Sequence, residues 1–403
     1  MPSYHLIQET VTFPQGFLAG GVSCGLKPSK KPDIGILYSP AGAKCLAAFT
    51  QNRFRAAPVD VCFDIVESQT EVRGVIVNSG NANACTGARG VENARYMAKR
   101  ASELLQFDNE SFAVCSTGVI GQKLDMSKIE AGLQDLSSRL SNDGGTAFSN
   151  AILTTDTCSK NWGTSIQTSK GEIRIGGCSK GAGMIHPDMA TMLAFVTTDI
   201  ELPADFKAEF IQIVKDSFNS ITVDGDTSTN DTVLMFDNGA SGVKYKDLSL
   251  SEQGSFRSAL FDVFVKLAQA IVKDGEGATR FVEIEVCGAI DKDTARKLGR
   301  FVANSKLVKT AMFGQDPNWG RLVASLGACG FEFDASLVDL YLDHQALVIA
   351  GQPADTNYEI LKEIVQKPEY KIRFDLHAGN SKASVWTCDL SYEYVRINAE
   401  YTT

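Results

Sequence analysis

Residues 180–191 read Lys-Gly-Ala-Gly-Met-Ile-His-Pro-Asp-Met-Ala-Thr and run straight into the apolar stretch 192–197. A glycine-rich loop here delivers a small Ala190 and then the hydroxyl of Thr191 at a strand start. A hydroxyl so placed can attack the carbonyl of its own preceding residue when the peptide is held bent. The ester that forms hydrolyses and leaves Thr191 with a free amino group, which then serves the same hydroxyl as general base. Most Ala-Thr pairs at strand starts are structural, so the residues permit this chemistry without requiring it. Three further segments, 78–87 (Asn-Ser-Gly-Asn-Ala-Asn-Ala-Cys-Thr-Gly), 116–121 (Ser-Thr-Gly-Val-Ile-Gly) and 274–279 (Asp-Gly-Glu-Gly-Ala-Thr), are equally small and polar. Glycine allows a close backbone approach, and Thr, Asn and Lys supply hydrogen bonds. Any one of these loops alone is best read as a tight connection. Four of them at element ends suggest a shared site.

Familiar short motifs are absent. No Gly-Lys dipeptide occurs, so there is no phosphate-binding loop of that type. The starts Gly181-Ala-Gly183 and Gly275-Glu-Gly277 fail as dinucleotide fingerprints at His186 and Arg280. Gly21-Val-Ser-Cys-Gly25 has the letters of a serine-esterase elbow, but Pro28 and Pro32 follow where a helix is needed. The Gln- or Arg-led glycine signature of a common class of acetyl-coenzyme-A enzymes is missing too. The four histidines are isolated and the ten cysteines scattered, with no C-x-x-C pair. No metal site is expected, and the cysteines read as free thiols in a reducing compartment.

These loops need elements to hold them. Apolar runs at 73–78, 112–116, 192–197, 232–236 and 281–286 read as strands. Helical spacing marks 93–105, 126–140 with Asp125 as its cap, 204–218, 255–273 and 294–312. The last three apolar stretches, 370–374, 383–388 and 392–398, read as strands. The mixture predicts an α/β fold of layered sheets with helices outside. No repeat and no Pro- or Ser-rich linker marks a domain boundary.

Composition bounds the function. With 39 Lys and Arg against 48 Asp and Glu, the formal net charge is −9. There is no basic footprint for nucleic acid and no apolar run long enough for a membrane. Residues 1–17 lack a cationic leader and a small-residue cleavage site, so a cytoplasmic protein is expected.

Residues 180–195 resemble the self-cleavage segment of the ornithine acetyltransferase family, also called glutamate N-acetyltransferases, of arginine biosynthesis. Segments 78–87, 115–121, 154–157, 223–232, 274–279, 316–321 and 394–400 resemble family segments in the same order, so the likeness covers about residues 13–403. It implies the layered fold of the family, which self-cleaving aminopeptidases share. It also implies cleavage between Ala190 and Thr191, with residues 1–190 and 191–403 as two interleaved chains of one globular unit. A dimer of such pairs (α2β2) would follow. Thr191 is implied as the nucleophile that carries the acetyl group, and Thr117 (hydroxyl) and Gly118 (backbone N–H) as the oxyanion hole. Thr154, Lys180, Glu276, Asn398 and Thr403 are implied as substrate contacts. Charge logic agrees, since Lys180 can meet an α-carboxylate and Glu276 an ammonium.

His186, Asp188, Gln315 and the pair Ala88-Arg89 depart from what many members carry. None is the nucleophile or part of the oxyanion hole. The resulting reading is transfer of acetyl from N-acetylornithine to glutamate by a ping-pong route, without metal or redox cofactor. Whether acetyl-coenzyme A also donates stays open. The rival is a self-cleaving aminopeptidase or amidohydrolase, with water as acceptor, and a non-catalytic binding protein is a more distant one.

Overall fold

A computed structural model describes residues 4–68, 71–107, 111–186 and 192–400. Two sheets are stacked at its centre. One has four strands in the order Leu18–Val22, Ile34–Tyr38, Gly74–Asn81 and Phe112–Val119. The other has five, in the order Lys44–Phe49, Thr232–Asp237, Leu193–Thr198, Gly171–Lys180 and Lys160–Thr168.

The strand pleat explains why these runs are apolar throughout. Val75, Val77, Ala113 and Cys115 face inward and pack on Leu193, Phe195, Leu234 and Phe236 of the other sheet. Their neighbours Ile76, Phe112 and Val114 point the opposite way, onto Met97, Ala101, Ile129 and Leu133 of an outer helical layer. Ala194, Val196, Val233 and Met235 likewise turn outward, onto Phe210, Phe264 and Leu267 of a second helical layer. The order is therefore helices, sheet, sheet, helices, and inner strands such as Leu193–Thr198 and Thr232–Asp237 are buried on both faces. A seven-stranded sheet, centred on Glu369–Asp375, Phe281–Ala289 and Ser381–Cys388, builds a further core with helix Lys292–Asn304.

Most expected elements are present. Asp125 caps helix Met126–Ser137 by accepting from the amides of Ser127 and Lys128. The long helix begins at Leu250, five residues before the periodicity suggests, because Ser249 and Glu252 form a reciprocal capping box. Two expectations are corrected. The stretch 294–312 is two helices, Lys292–Asn304 and Lys306–Phe313, because Ser305 is extended and its hydroxyl caps the second helix at the Val308 amide. Residues 392–398 form no strand; Tyr392–Glu400 is a helix with no fully buried residue. Its half-buried members, Tyr394 and Ile397, lie three apart, a helical spacing that the alternation of Tyr392, Tyr394 and Arg396 conceals.

No described helix is long and apolar enough to cross a membrane, and no cluster of described His, Cys, Asp and Glu residues could hold a metal ion. All ten cysteines are free.

Candidate active site

Strand Phe112–Val119 ends where the two central sheets open, and a cavity of about 400 Å³ lies there. Thr117, Gly118, Thr154, Lys180, Glu276 and Asn398 all line it. Six residues spread over more than half of the chain thus converge on one space. The other three expected positions, Ala190, Thr191 and Thr403, lie outside the described residues, as does Asp188. The flanks of segment 187–191 are described. Gly183 and Met184 line the cavity, and Met192 is buried, its carbonyl accepting from the Thr232 amide at 3.1 Å.

Local geometry explains the residue types. Gly118 has φ +133°, and a Cβ there would lie 2.3 Å from the Gly80 carbonyl carbon in the neighbouring strand. Only glycine lets the two strand ends close so tightly. Gly183 is needed for another reason: a Cβ would meet the Glu276 carboxylate at 2.4 Å. Of the four small polar loops, 116–121, 180–191 and 274–279 reach the cavity through described residues. The loop 78–87 does not; it supports the site from behind. The Ser116 hydroxyl donates to Asn78 at 2.6 Å, and the Asn230 amide spans the carbonyls of Ala82 and Ser116 at 2.7 and 2.8 Å.

The Lys180 ammonium donates to the Thr117 hydroxyl oxygen at 3.1 Å, deep inside the protein. An ammonium can only donate, so Thr117 accepts and its own hydrogen is left to point elsewhere. Burial lowers the Lys180 pKa, and Asp156 opposes that shift. Asp156 is itself buried and accepts from the Thr154 and Gly181 amides at 3.0 and 2.7 Å. Its carboxylate also pairs with Lys160 at 2.7 Å, and Lys160 pairs with Asp274 at 2.6 Å. Burial alone would raise the Asp156 pKa; Lys160 and Lys180 overcome this and hold the carboxyl well below its usual range. On the opposite side, Asn398 donates to Glu276 at 2.8 Å. Asp224 accepts from the Met184 and Ile185 amides at 2.6 and 2.9 Å and so fixes the backbone that leads out of the glycine-rich loop.

The chain matches the ArgJ family over residues 18–403. It belongs to that family. It is 44% identical over 402 residues to the arginine biosynthesis bifunctional protein ArgJ of Parasynechococcus marenigrum, spanning 99% of this chain and 97% of that protein. A protein of the same name from Symbiobacterium thermophilum is 42% identical over 396 residues, 98% of each chain. The crystal structure of ArgJ from Bacillus halodurans is similar with a TM-score of 0.50 at 36% identity, over 52% of this chain and 100% of that one. The family membership bears out the resemblance carried by the ordered motifs.

Several residues around this ArgJ-family cavity escape a reading of the sequence. The Lys160–Asp156–Asp274 network is one: Asp156 and Lys160 are four apart, an ordinary spacing for a surface pair. Asp231 is another. It is 2% exposed. Burial pushes its pKa well above the ordinary carboxylate value, and Lys180 opposes that shift. The register of Thr232 with Leu193 sets it beside Met192. Tyr394 and Asp224, which line the cavity, fell within segments of family likeness without being singled out.

Proposed function

We propose that the chain is a self-processed acetyltransferase that moves acetyl from N-acetylornithine to glutamate through an ester on Thr191. The observation that carries this reading is the convergence of Thr117, Gly118, Thr154, Lys180, Glu276 and Asn398 on one cavity, with Lys180 bonded to Thr117.

The chemistry follows from these groups. The Thr191 hydroxyl first attacks the Ala190 carbonyl and breaks that carbon's bond to the Thr191 nitrogen, freeing the amine; water then hydrolyses the ester, releasing the Ala190 carboxylate and restoring the hydroxyl. This amine takes the hydroxyl proton as Thr191 attacks the acetyl carbonyl of N-acetylornithine. Charge develops on the acetyl oxygen, where the Thr117 hydroxyl and Gly118 amide stabilise it. Ornithine leaves with the proton, and the glutamate amine then attacks the acetyl ester to give N-acetylglutamate. An amine attacks an ester far more readily than an amide, so one hard step is divided into two. Lys180 fits the α-carboxylate that both substrates carry, while Glu276, Asp224 and Asp226 supply carboxylates for ornithine's ammonium groups. No step draws on a metal or redox group.

Two findings lend support. The relatives are named for arginine biosynthesis and for two activities. The Bacillus halodurans chain is matched in full by 52% of this one, the proportion expected of a cleaved half. The deciding experiment is intact-mass measurement of the purified protein, before and after incubation with N-acetylornithine alone. The reading expects two fragments split at Ala190–Thr191 and one acetyl group gained on the C-terminal fragment. An unbroken wild-type chain, or acetyl on another residue, overturns it. Acetate release that glutamate does not divert into N-acetylglutamate points instead to a hydrolase.

A further inference from the structure

Residues 23–33 join the first two strands of the four-stranded sheet and carry Lys27 to the end of strand Gly74–Asn81. Asp33 is fully buried and holds this loop: its carboxylate accepts from the amides of Cys24, Gly25 and Lys27 at 2.7, 3.1 and 3.0 Å. The Ser79 amide donates to the Asp33 carbonyl at 2.8 Å, which ties the loop to the strand end. Gly80 follows with φ +96°, and a Cβ there would lie 3.1 Å from Cγ of Lys27. The Lys27 stem therefore lies over Gly80, and Gly80 is the register partner of Gly118 in the neighbouring strand. We infer, on the acetyl-transfer reading above, that Lys27 is a specificity-determining residue that receives the γ-carboxylate of the acceptor glutamate.

The two amino-acid substrates make opposite demands on one cavity. N-Acetylornithine carries a side-chain ammonium, and glutamate carries a side-chain carboxylate. Glu276, Asp224 and Asp226 line the cavity and suit the ammonium. The same carboxylates repel the glutamate side chain, the more so where water is excluded. Lys180 is taken by the α-carboxylate that both substrates share. A second cation on the Gly118 side gives the γ-carboxylate a partner and leaves the ammonium site as it is.

Lys27 has the position and the freedom for this. Neighbouring strands lie about 4.8 Å apart, so Gly80 sets the lysine stem roughly one strand spacing from Gly118, which lines the cavity. Lys180 and Asp156 both act on the Lys27 charge, as groups gathered at the same end of the sheets do. Its ammonium donates to the Pro32 carbonyl at 2.7 Å, a neutral acceptor. A lysine stem is flexible, and a carboxylate makes a stronger bond to an ammonium than a carbonyl does, so an arriving carboxylate can draw it across. Burial lowers the Lys27 pKa to about 8 and Asp33 opposes that shift, so the group is still a cation at neutral pH. The three backbone bonds to Asp33 keep its main chain in place while the ammonium moves.

The test is acceptor choice by the intact purified enzyme, with N-acetylornithine as donor and either glutamate or glutamine as acceptor. Glutamine keeps the size and the α-groups of glutamate and replaces only the γ-carboxylate. The wild type should prefer glutamate in kcat/KM. Lys27→Met should lower the glutamate value by about tenfold or more and the glutamine value much less, because only glutamate loses a charged partner. Lys27→Arg keeps the cation and should keep the preference, which separates lost charge from a damaged loop. Acetylation of the enzyme by N-acetylornithine alone, followed by intact mass, should slow far less in Lys27→Met than the step with glutamate does. Equal losses for the two acceptors overturn the inference, and so does a wild type that takes both alike. A wild type that gains no acetyl group overturns the acetyl-transfer reading and this assignment with it. A normal acetyl-enzyme whose preference survives Lys27→Met overturns the assignment alone.

Discussion

On one side of the candidate site's cavity, Thr117, Lys180 and Asp156 lie inside the stacked sheets, each less than a tenth exposed. On the other, Asn398 reaches in from helix Tyr392–Glu400, which buries no residue completely. The first wall is held by strand ladders, tight glycine contacts and buried charge. The second is held by a few bonds, chiefly Asn398 to Glu276 at 2.8 Å and the Tyr394 amide to the Ser391 hydroxyl at 3.4 Å. A group that must sit within a fraction of an ångström of a developing charge belongs on the first wall. A group that need only hold substrate can belong on the second. On the proposed mechanism, the difference would put the chemical step on one wall and recognition on the other.

The comparison breaks most visibly at the buried ion network. Lys160, with its side chain 1% exposed, serves Asp156 and Asp274 together. Removing it as Lys160→Met leaves Asp274 without the cation it pairs with and Asp156 with only the field of Lys180, a loss of about 3–5 kcal/mol. The denaturant midpoint should fall accordingly, with an unchanged slope. A loss no larger than that of a surface substitution would remove the claim that this wall is set by the network.

The next effect is kinetic. Thr117→Ala would, on the proposed mechanism, delete one oxyanion donor, and it leaves the Lys180 ammonium without its acceptor. The turnover number should fall by about 10²–10³, with KM for N-acetylornithine nearly constant, because the lost interaction forms only in the transition state. A KM effect alone would move Thr117 from the chemical step to binding.

The legibility of the two walls in the sequence follows the same division. Strands apolar on both faces, such as 112–116 and 232–236, give an unbroken signal, so the central layers were readable. The catalytic wall was readable because Thr117-Gly118 and Lys180 sit in motifs whose glycines have no freedom: at Gly118 a Cβ collides with backbone. The ion network was not, since Asp156 and Asp274 are 118 positions apart and only the fold brings both to Lys160. Helix Tyr392–Glu400 failed because a lightly buried helix carries a weak apolar period, and tyrosines mimic a strand. Asn398, which the family likeness marks, does line the cavity, although it does so from a helix and not from a strand.

Lys180 tests whether the two roles meet in one residue. It donates to Thr117 and lines the cavity where an α-carboxylate would lie. Lys180→Met should lower kcat/KM by one to two decades, about 1.5–3 kcal/mol for a charged hydrogen bond, in both half-reactions. Part of the loss should appear in kcat, because Thr117 then loses the donor that directs its hydroxyl; a change in KM alone would limit Lys180 to binding. The pH dependence has a definite sign. Burial lowers the pKa of this lysine, so the ammonium is lost as pH rises toward, and before, the ordinary lysine value of about 10.4. Activity should therefore decline on the alkaline side, and the Lys180-dependent part of that limb should vanish in the Met variant.

The smallest effect belongs to the exposed helix. Asn398 contributes one hydrogen bond to Glu276, worth about 0.5–1.5 kcal/mol, and no buried apolar surface. Asn398→Ala should raise KM for N-acetylornithine a few-fold, leave kcat within a factor of two and leave the denaturant midpoint unmoved. The helix also carries Arg396, paired with Glu393 and Glu400 in full view of solvent. Exposed pairs of this kind are screened and contribute little, so Arg396→Ala on the same helix should change neither KM nor stability. The two variants together separate a contact with the site from general support of the helix. If Arg396→Ala raises KM as much as Asn398→Ala does, the helix acts only by being folded, and Asn398 has no role of its own in recognition. If Asn398→Ala lowers kcat by orders of magnitude, the second wall also shapes the transition state, and the division drawn between the walls does not hold.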